Sequence, residues 1–445
     1  GMYSIDWRLT QVFGGDRTIQ DDISDQDTVS TIEFSPNGDY LAAGDYGGRV
    51  VLFKKSQSDE GGKVDFKFWT EFASHEKEFD CLRSMEVEEK INVVKFVHQP
   101  TDDLTLLLTT NDKTIKLWKS ASRTMYTTHF KHDSNVPEYV LDQQTMFPEL
   151  KQTYGNFHAY PIHSLCTLAD MESFISADFL KINLCNFDYP DSSFNLIEWN
   201  VDDSRELITC VETRDKSDHT FMYGSSTGTV RLCDMRATKT CTSAVKFFVN
   251  TDDYSANPQR QESFPSISSI KITNDCNTLV VRDYLSIRTF DLRNTEGPLS
   301  IVPIHDHLIS RFSELEANDV LYDKFDLSLD ATNQYCVTGS YDREFIVHDL
   351  VNHQTLPLLS HRFQPKGLYP TPQTTPKSSI KSADLHNTKL LMKYSPKDHL
   401  PGIPIDYSAK VALTRFHPTE NLIATAVSNN LYIFNGYYTD RKSVV

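Results

Sequence analysis

The chain has 445 residues, 39% of them hydrophobic and 24% charged, and a formal net charge of −17 at pH 7. That length and balance exclude a wholly disordered chain and leave ample material for a large core. The acidic excess argues against a general nucleic-acid binder, because the sequence shows no concentrated basic face to overcome it, and makes basic segments of other proteins the complementary partners.

In chain order, the opening MYSIDWRLTQ lacks the apolar core of a signal peptide, and no later span approaches the about 18 apolar residues of a membrane helix. From Val29–Phe34 an apolar alternation begins, Ser35-Pro36-Asn37-Gly38 turns, a second apolar run covers 40–43, a turn at 45–48 contains Gly47-Gly48, and 49–53 closes a three-strand meander. The extra chain at 54–90 then carries SHEKEFDCLRSMEVEEKIN at 74–92, where Phe79, Leu82, Met85 and Val87 interleave with Glu78, Asp80, Glu86, Glu88 and Glu89. This pattern predicts a projecting β-hairpin arm over 64–90. The residues alone leave open whether its acidic edge is a binding arm or a solvated face.

A second copy of the meander runs from Ile91 and ends in TNDKTIKLWK at 110–119. Further third strands follow at 182–185, 230–234, 287–291 and 345–349, and a seventh at 431–434. Seven copies of a unit that cannot bury its own faces predict a closed, radially stacked ring, an all-β seven-bladed WD-repeat β-propeller occupying 1–445 as one unit. The last copy shows only three clear strands, so segment 3–12 is expected to supply its outer strand and close the ring.

Asp112, Asp178 and Asp342 recur in the turn before a third strand, where a carboxylate can accept backbone N–H bonds. Cys185 and Cys233 stand where the second copy has Trp118, which marks them as core thiols. Long inter-strand insertions are expected at 119–155, 237–265, 293–324 and 351–409, the last basic and proline-containing from Arg362 to Lys397. His305 and His307 are expected on opposite faces of a strand. His75-Glu76 does not continue to a zinc helix, and Gly47-Gly48 reads as a hairpin turn rather than a phosphate loop. No nucleophile–base pair, metal cluster or cofactor motif stands out, so neither an enzyme nor a cofactor or metal is expected. Eight scattered cysteines without a Cys-x-x-Cys pair, and no Asn-x-Ser/Thr sequon, favour a reducing compartment, cytoplasmic with the nucleus left open.

EEKIN at 88–92, SADFLKINL at 176–184, RLCDMRA at 231–237, RDYLS at 282–286, TGSY at 338–341 and NNLYIF at 429–434 occur together and in order. With them the chain resembles the WD-repeat regulatory B subunits of protein phosphatase 2A. The resemblance implies a non-catalytic subunit that docks on a helical-repeat scaffold subunit, adjacent to the catalytic subunit, and selects phosphoserine and phosphothreonine substrates, without nucleic acid or membrane. It implies that the hairpin arm grips the scaffold, with Glu86, Glu88 and Glu89 as the acidic contacts and Phe79 and Leu82 packing beside them. It also implies a substrate groove at Asp25, Tyr46, Tyr160, Phe179, Leu207 and Cys210. Two positions depart from the family: Tyr46 replaces a lysine and Phe179 an aspartate, which shifts recognition toward apolar anchors. Span 119–155 is shorter than the family's, leaving any contact there with the catalytic subunit open. The alternative is a WD-repeat adaptor that keeps the fold but has a diverged, phosphatase-independent role.

Overall fold

The structure, a computed structural model, describes residues 3–14, 25–57, 63–97, 104–130, 137–214, 219–236, 245–248, 263–294, 297–361 and 402–440. The alternating apolar runs form strands, and these assemble into seven four-stranded antiparallel sheets plus one two-stranded sheet. Within a blade the two middle strands are buried on both faces, as in Tyr40–Asp45 and Glu344–Asp349, where every residue is buried. Their continuous apolar character follows from that double burial. The clusters that hold the ring run from one blade to the next: Ile32, Leu41 and Phe66 of the first blade pack with Leu422, Ala424 and Ile433 of the last. At one such seam Gly339 is compulsory, since a Cβ there would run into the Val411 carbonyl oxygen.

The fourth, outermost strand of each blade is what the three-strand reading of the sequence lacks. Ser193–Glu198 shows why: four of its six residues are exposed, so no apolar period marks it. In the last sheet the outer strand is Tyr3–Phe13, which pairs with Asn430–Asp440 from Tyr3↔Asp440 to Phe13↔Leu431. Trp7 and Leu9 are buried there with Phe416, Tyr432 and Phe434.

The hairpin arm expected over 64–90 is corrected. Val64–Ala73 is the fourth strand of the first blade, paired with Arg49–Gln57. Only Glu78–Asp80 and Met85–Val87 form a hairpin, and it lies down on its neighbours. The buried Asp80 carboxylate accepts the Leu82 and Arg83 amides and pairs with Lys113 at 3.1 Å, while the Arg83 guanidinium donates to the His158 and Ala159 carbonyls. The projecting hairpin belongs instead to the second blade, Ile115–Phe130 with Pro137–Tyr154. Its neighbour Leu104–Thr110 pairs only as far as Ala121, so the remaining strand length pairs solely within the hairpin. The nine residues from 122 to 130 make an arm of about 30 Å at about 3.3 Å per residue.

The insertion at 293–324 folds into a 3-10 helix, Asp306–Arg311, and an α-helix, Phe312–Ala317, whose Leu308, Phe312 and Leu315 join Tyr284, Phe325 and Tyr341 in a separate core. His305 and His307 therefore sit at a helix start, not on a strand. Of 351–409, Thr355–Leu359 is a blade strand and Tyr407–Ala409 a 3-10 turn; its basic residues, like most of 237–265, lie outside the described residues.

Candidate functional site

In an antiparallel four-strand meander, the second-to-third-strand turns and the loops to the next blade emerge at the same end. That end collects all six groove positions. Tyr46 sits in the 45–48 turn, where Gly48 takes φ +82 and the Gly47 amide donates to the Gln26 carbonyl, bringing the 3-10 turn Asp25–Asp27 alongside. Phe179 occupies the turn before Lys181–Asn186, and its carbonyl accepts the Ile208 amide of the next blade. Leu207 precedes Ile208–Thr213, in which Cys210 lies. Tyr46, Tyr160 and Leu207 are exposed at 39%, 39% and 43%, large apolar side chains left facing solvent at one end of the ring.

The five hairpin positions share this end. Phe79 and Leu82 are 64% and 96% exposed, Glu86 pairs with Lys77 at 3.0 Å, and the Glu88 carbonyl accepts the Asn111 amide group. Immediately after Glu89, the Lys90 ammonium lies 4.7 Å from the Tyr46 ring centroid. Positions expected to grip a scaffold and positions expected to line a groove are thus contiguous, and neither set lies on the long arm.

Between the innermost strands runs an axial cavity of about 450 Å³ lined by charged residues that the sequence reading did not single out. Lys95 pairs with Glu33 at 2.9 Å, Lys271 with Glu212 at 2.8 Å and Arg415 with Asp326 at 2.9 Å. Burial raises the Glu33 and Glu212 carboxyls, but the opposing cations outweigh it and hold both below the ordinary carboxylate range. A signal existed: VSTIEF, VVKFV, SIKI and LTRF each put one charge just before the strand's last one or two apolar residues, at the position whose side chain faces the axis. Lys324 also lines this cavity; it donates to the Thr209 carbonyl at 3.0 Å and stands 5.7 Å from the Phe179 ring centroid. His163 packs on the same ring at 5.3 Å; burial and the nearby Lys324 push it down to about 3, so it is neutral.

One constellation has the composition of a catalytic triad. His158 lies 2.8 Å from Asp178 through Nδ1 and 2.6 Å from the Ser176 hydroxyl through Nε2. Ser176, His158 and Asp178 are all fully buried, so no substrate carbonyl can reach the hydroxyl; the group staples a loop to a blade. Asp178 Oδ1 also accepts the Leu180 and Lys181 amides, the role expected of it. In the second blade Asn111 takes that role and Asp112 accepts from Asn92, while Asp342 accepts the Asp406 amide from another loop. Cys185 and Cys233 are buried, and burial pushes the Cys185 thiol up to about 12. Among the described residues no group of three or more His, Cys, Asp or Glu is placed to hold a metal ion, and no helix is long and apolar enough to cross a membrane.

The family model "WD domain, G-beta repeat" matches residues 14–54. A relative from Schizosaccharomyces pombe, a regulatory B subunit of protein phosphatase PP2A, is 33% identical over 96% of this chain and 97% of its own length. The β-propeller domain of Myceliophteria thermophila Cps50 (Swd1) superposes with a TM-score of 0.52 at 12% identity, covering 97% of this chain and 99% of that one, a likeness of fold.

Proposed function

The chain belongs to the family of the protein phosphatase PP2A regulatory B subunits, and on that premise we propose that it is the non-catalytic targeting subunit of a heterotrimeric phosphatase, docked on a scaffold subunit and presenting phosphoserine and phosphothreonine substrates to a catalytic subunit. The observation that carries this reading is the 33% identity sustained over almost the whole of both chains. A shared propeller fold alone does not require it, as the far lower identity of the superposed propeller domain illustrates. The Ser176-His158-Asp178 group is sealed in a blade, out of reach of any substrate.

Scaffold docking suits the projecting Ile115–Phe130/Pro137–Tyr154 hairpin, because a strand pair that runs on past its own sheet costs ordering entropy that no third strand's hydrogen bonds offset. Phe79, Leu82, Glu86, Glu88 and Glu89 form a second contact to the phosphatase core: exposed apolar side chains beside carboxylates supply burial and orientation together. Asp25, Tyr46, Tyr160, Phe179, Leu207 and Cys210 line the substrate groove next to that contact.

The test is co-purification of the full chain with scaffold and catalytic subunits. Excising 122–144 should remove scaffold association, and Glu88→Lys with Glu89→Lys, or Leu82→Ala, should weaken it. A wild-type chain that captures neither subunit would favour the phosphatase-independent adaptor.

A further inference from the structure

Five cations line the axial cavity, and three of them are matched: Lys95 by Glu33, Lys271 by Glu212 and Arg415 by Asp326. The third acid on the wall besides Glu212 and Asp326 is Asp112, which is engaged by the Asn92 amide at 2.7 Å. Lys90 and Lys324 remain. Among the described residues neither has a carboxylate within ion-pair distance; each has a ring instead, Tyr46 and Phe179. An ammonium has three donors, and Lys324 spends one on the Thr209 carbonyl. Lys324 is exposed to solvent at this end, so its ammonium is open to an incoming group, while the protein packed around it still draws it below its usual range.

Resting on the reading of this end as the substrate face, we propose that the mouth of the axial cavity receives an anionic side chain, carboxylate or phosphate, carried by a partner polypeptide, with Lys324 as its principal contact and Lys90 as the second. The rings beneath the two ammoniums hold them in place without neutralising them, since a ring quadrupole is a far weaker partner than a carboxylate. A polypeptide source fits because Tyr46, packed against Lys90, and Tyr160, next in sequence to the lining Pro161, are exposed apolar side chains at this end that a free anion would leave uncovered. His163 and Asn92 add neutral polar groups to the same wall.

The experiment uses the immobilised full chain and three peptide pools, degenerate except for a fixed central phosphoserine, glutamate or lysine, with sodium pyrophosphate as the free-anion probe. The phosphoserine and glutamate pools should be retained at least about fivefold over the lysine pool, as a charge-assisted contact implies. Lys324→Met keeps the stem on Phe179 and should abolish that preference. Phe179→Asp, which hands Lys324 a carboxylate, should abolish it too, so a failure of one variant to fold leaves the other informative. Equal or better retention of the lysine pool, or a preference that survives both variants, overturns the proposal. Pyrophosphate binding as tight as that of the phosphoserine pool would show a free-anion site and overturn the polypeptide source. Because the readout is charge preference on the isolated chain, a chain that never joins a phosphatase core can still pass, and one that joins it can still fail.

Discussion

His75 and His163 are buried neutral imidazoles, pushed down to about 4 and about 3, in both cases chiefly by burial. The unfolded chain protonates them near 6.5 while the folded chain does not. Between pH 6.5 and about 4 the unfolded state therefore binds more protons, and stability falls as the solution is acidified. His75 alone implies on the order of 2–3 kcal/mol by about pH 4. The axial carboxylates Glu33 and Glu212 act lower: their folded values lie below the ordinary 4.5, so their contribution is intact above 4.5 and lost only as pH drops further. Between about pH 7 and about pH 5 the lowered imidazoles, His348 and His417 among them, act against the raised carboxyls of Asp45 and Asp283, so substitution separates the share of His75. The melting temperature should fall over that interval and fall less in His75→Gln; an unchanged slope in the variant would show that His75 is not the group responsible.

Among the elements, the Tyr3–Phe13 strand carries a load out of proportion to its length. Trp7 packs on Phe416 with ring centroids 6.0 Å apart and is buried. Trp7→Ala should therefore cost about 3–5 kcal/mol in chemical denaturation. Removing 1–13 would leave Asn430–Asp440 as an open edge, and the truncated chain should aggregate where the point variant merely melts earlier. Legibility in the sequence divides along the same lines. Middle strands such as Tyr40–Asp45 are written as apolar runs because both their faces are buried, whereas outer strands such as Ser193–Glu198 face solvent and carry no such period. The long arm went unread because what sets it apart is a backbone ladder that runs on past its own sheet, which no apolar period announces, while 74–92, with its apolar teeth, imitated one. The groove positions came from resemblance and do gather at one end. Lys90 and Lys324 were invisible, because what distinguishes them is the absence of a carboxylate across a cavity assembled from separate blades.

Taken as a whole molecule, the chain places a net charge of −17 around a cavity whose mouth holds two uncompensated ammoniums. These two fields act at different ranges. At about 0.01 M salt the Debye length is about 30 Å and an approaching ligand meets the acidic whole; at about 0.15 M it shrinks to about 8 Å and only nearby groups count. A basic peptide should consequently associate more slowly as salt rises over that interval, because the long-range attraction is screened. A phosphoserine peptide directed at Lys324 should do the opposite: screening removes the repulsion of the whole while the contact at a few ångströms persists, so its association rate should rise. Stopped-flow measurement of both peptides across that salt range reads the two slopes directly. Opposite slopes alone follow from the acidic field of the whole, so the contribution of the cavity mouth is read at about 0.15 M salt, where a phosphoserine association rate unchanged in Lys324→Met would mean that the ammoniums do not govern anion capture.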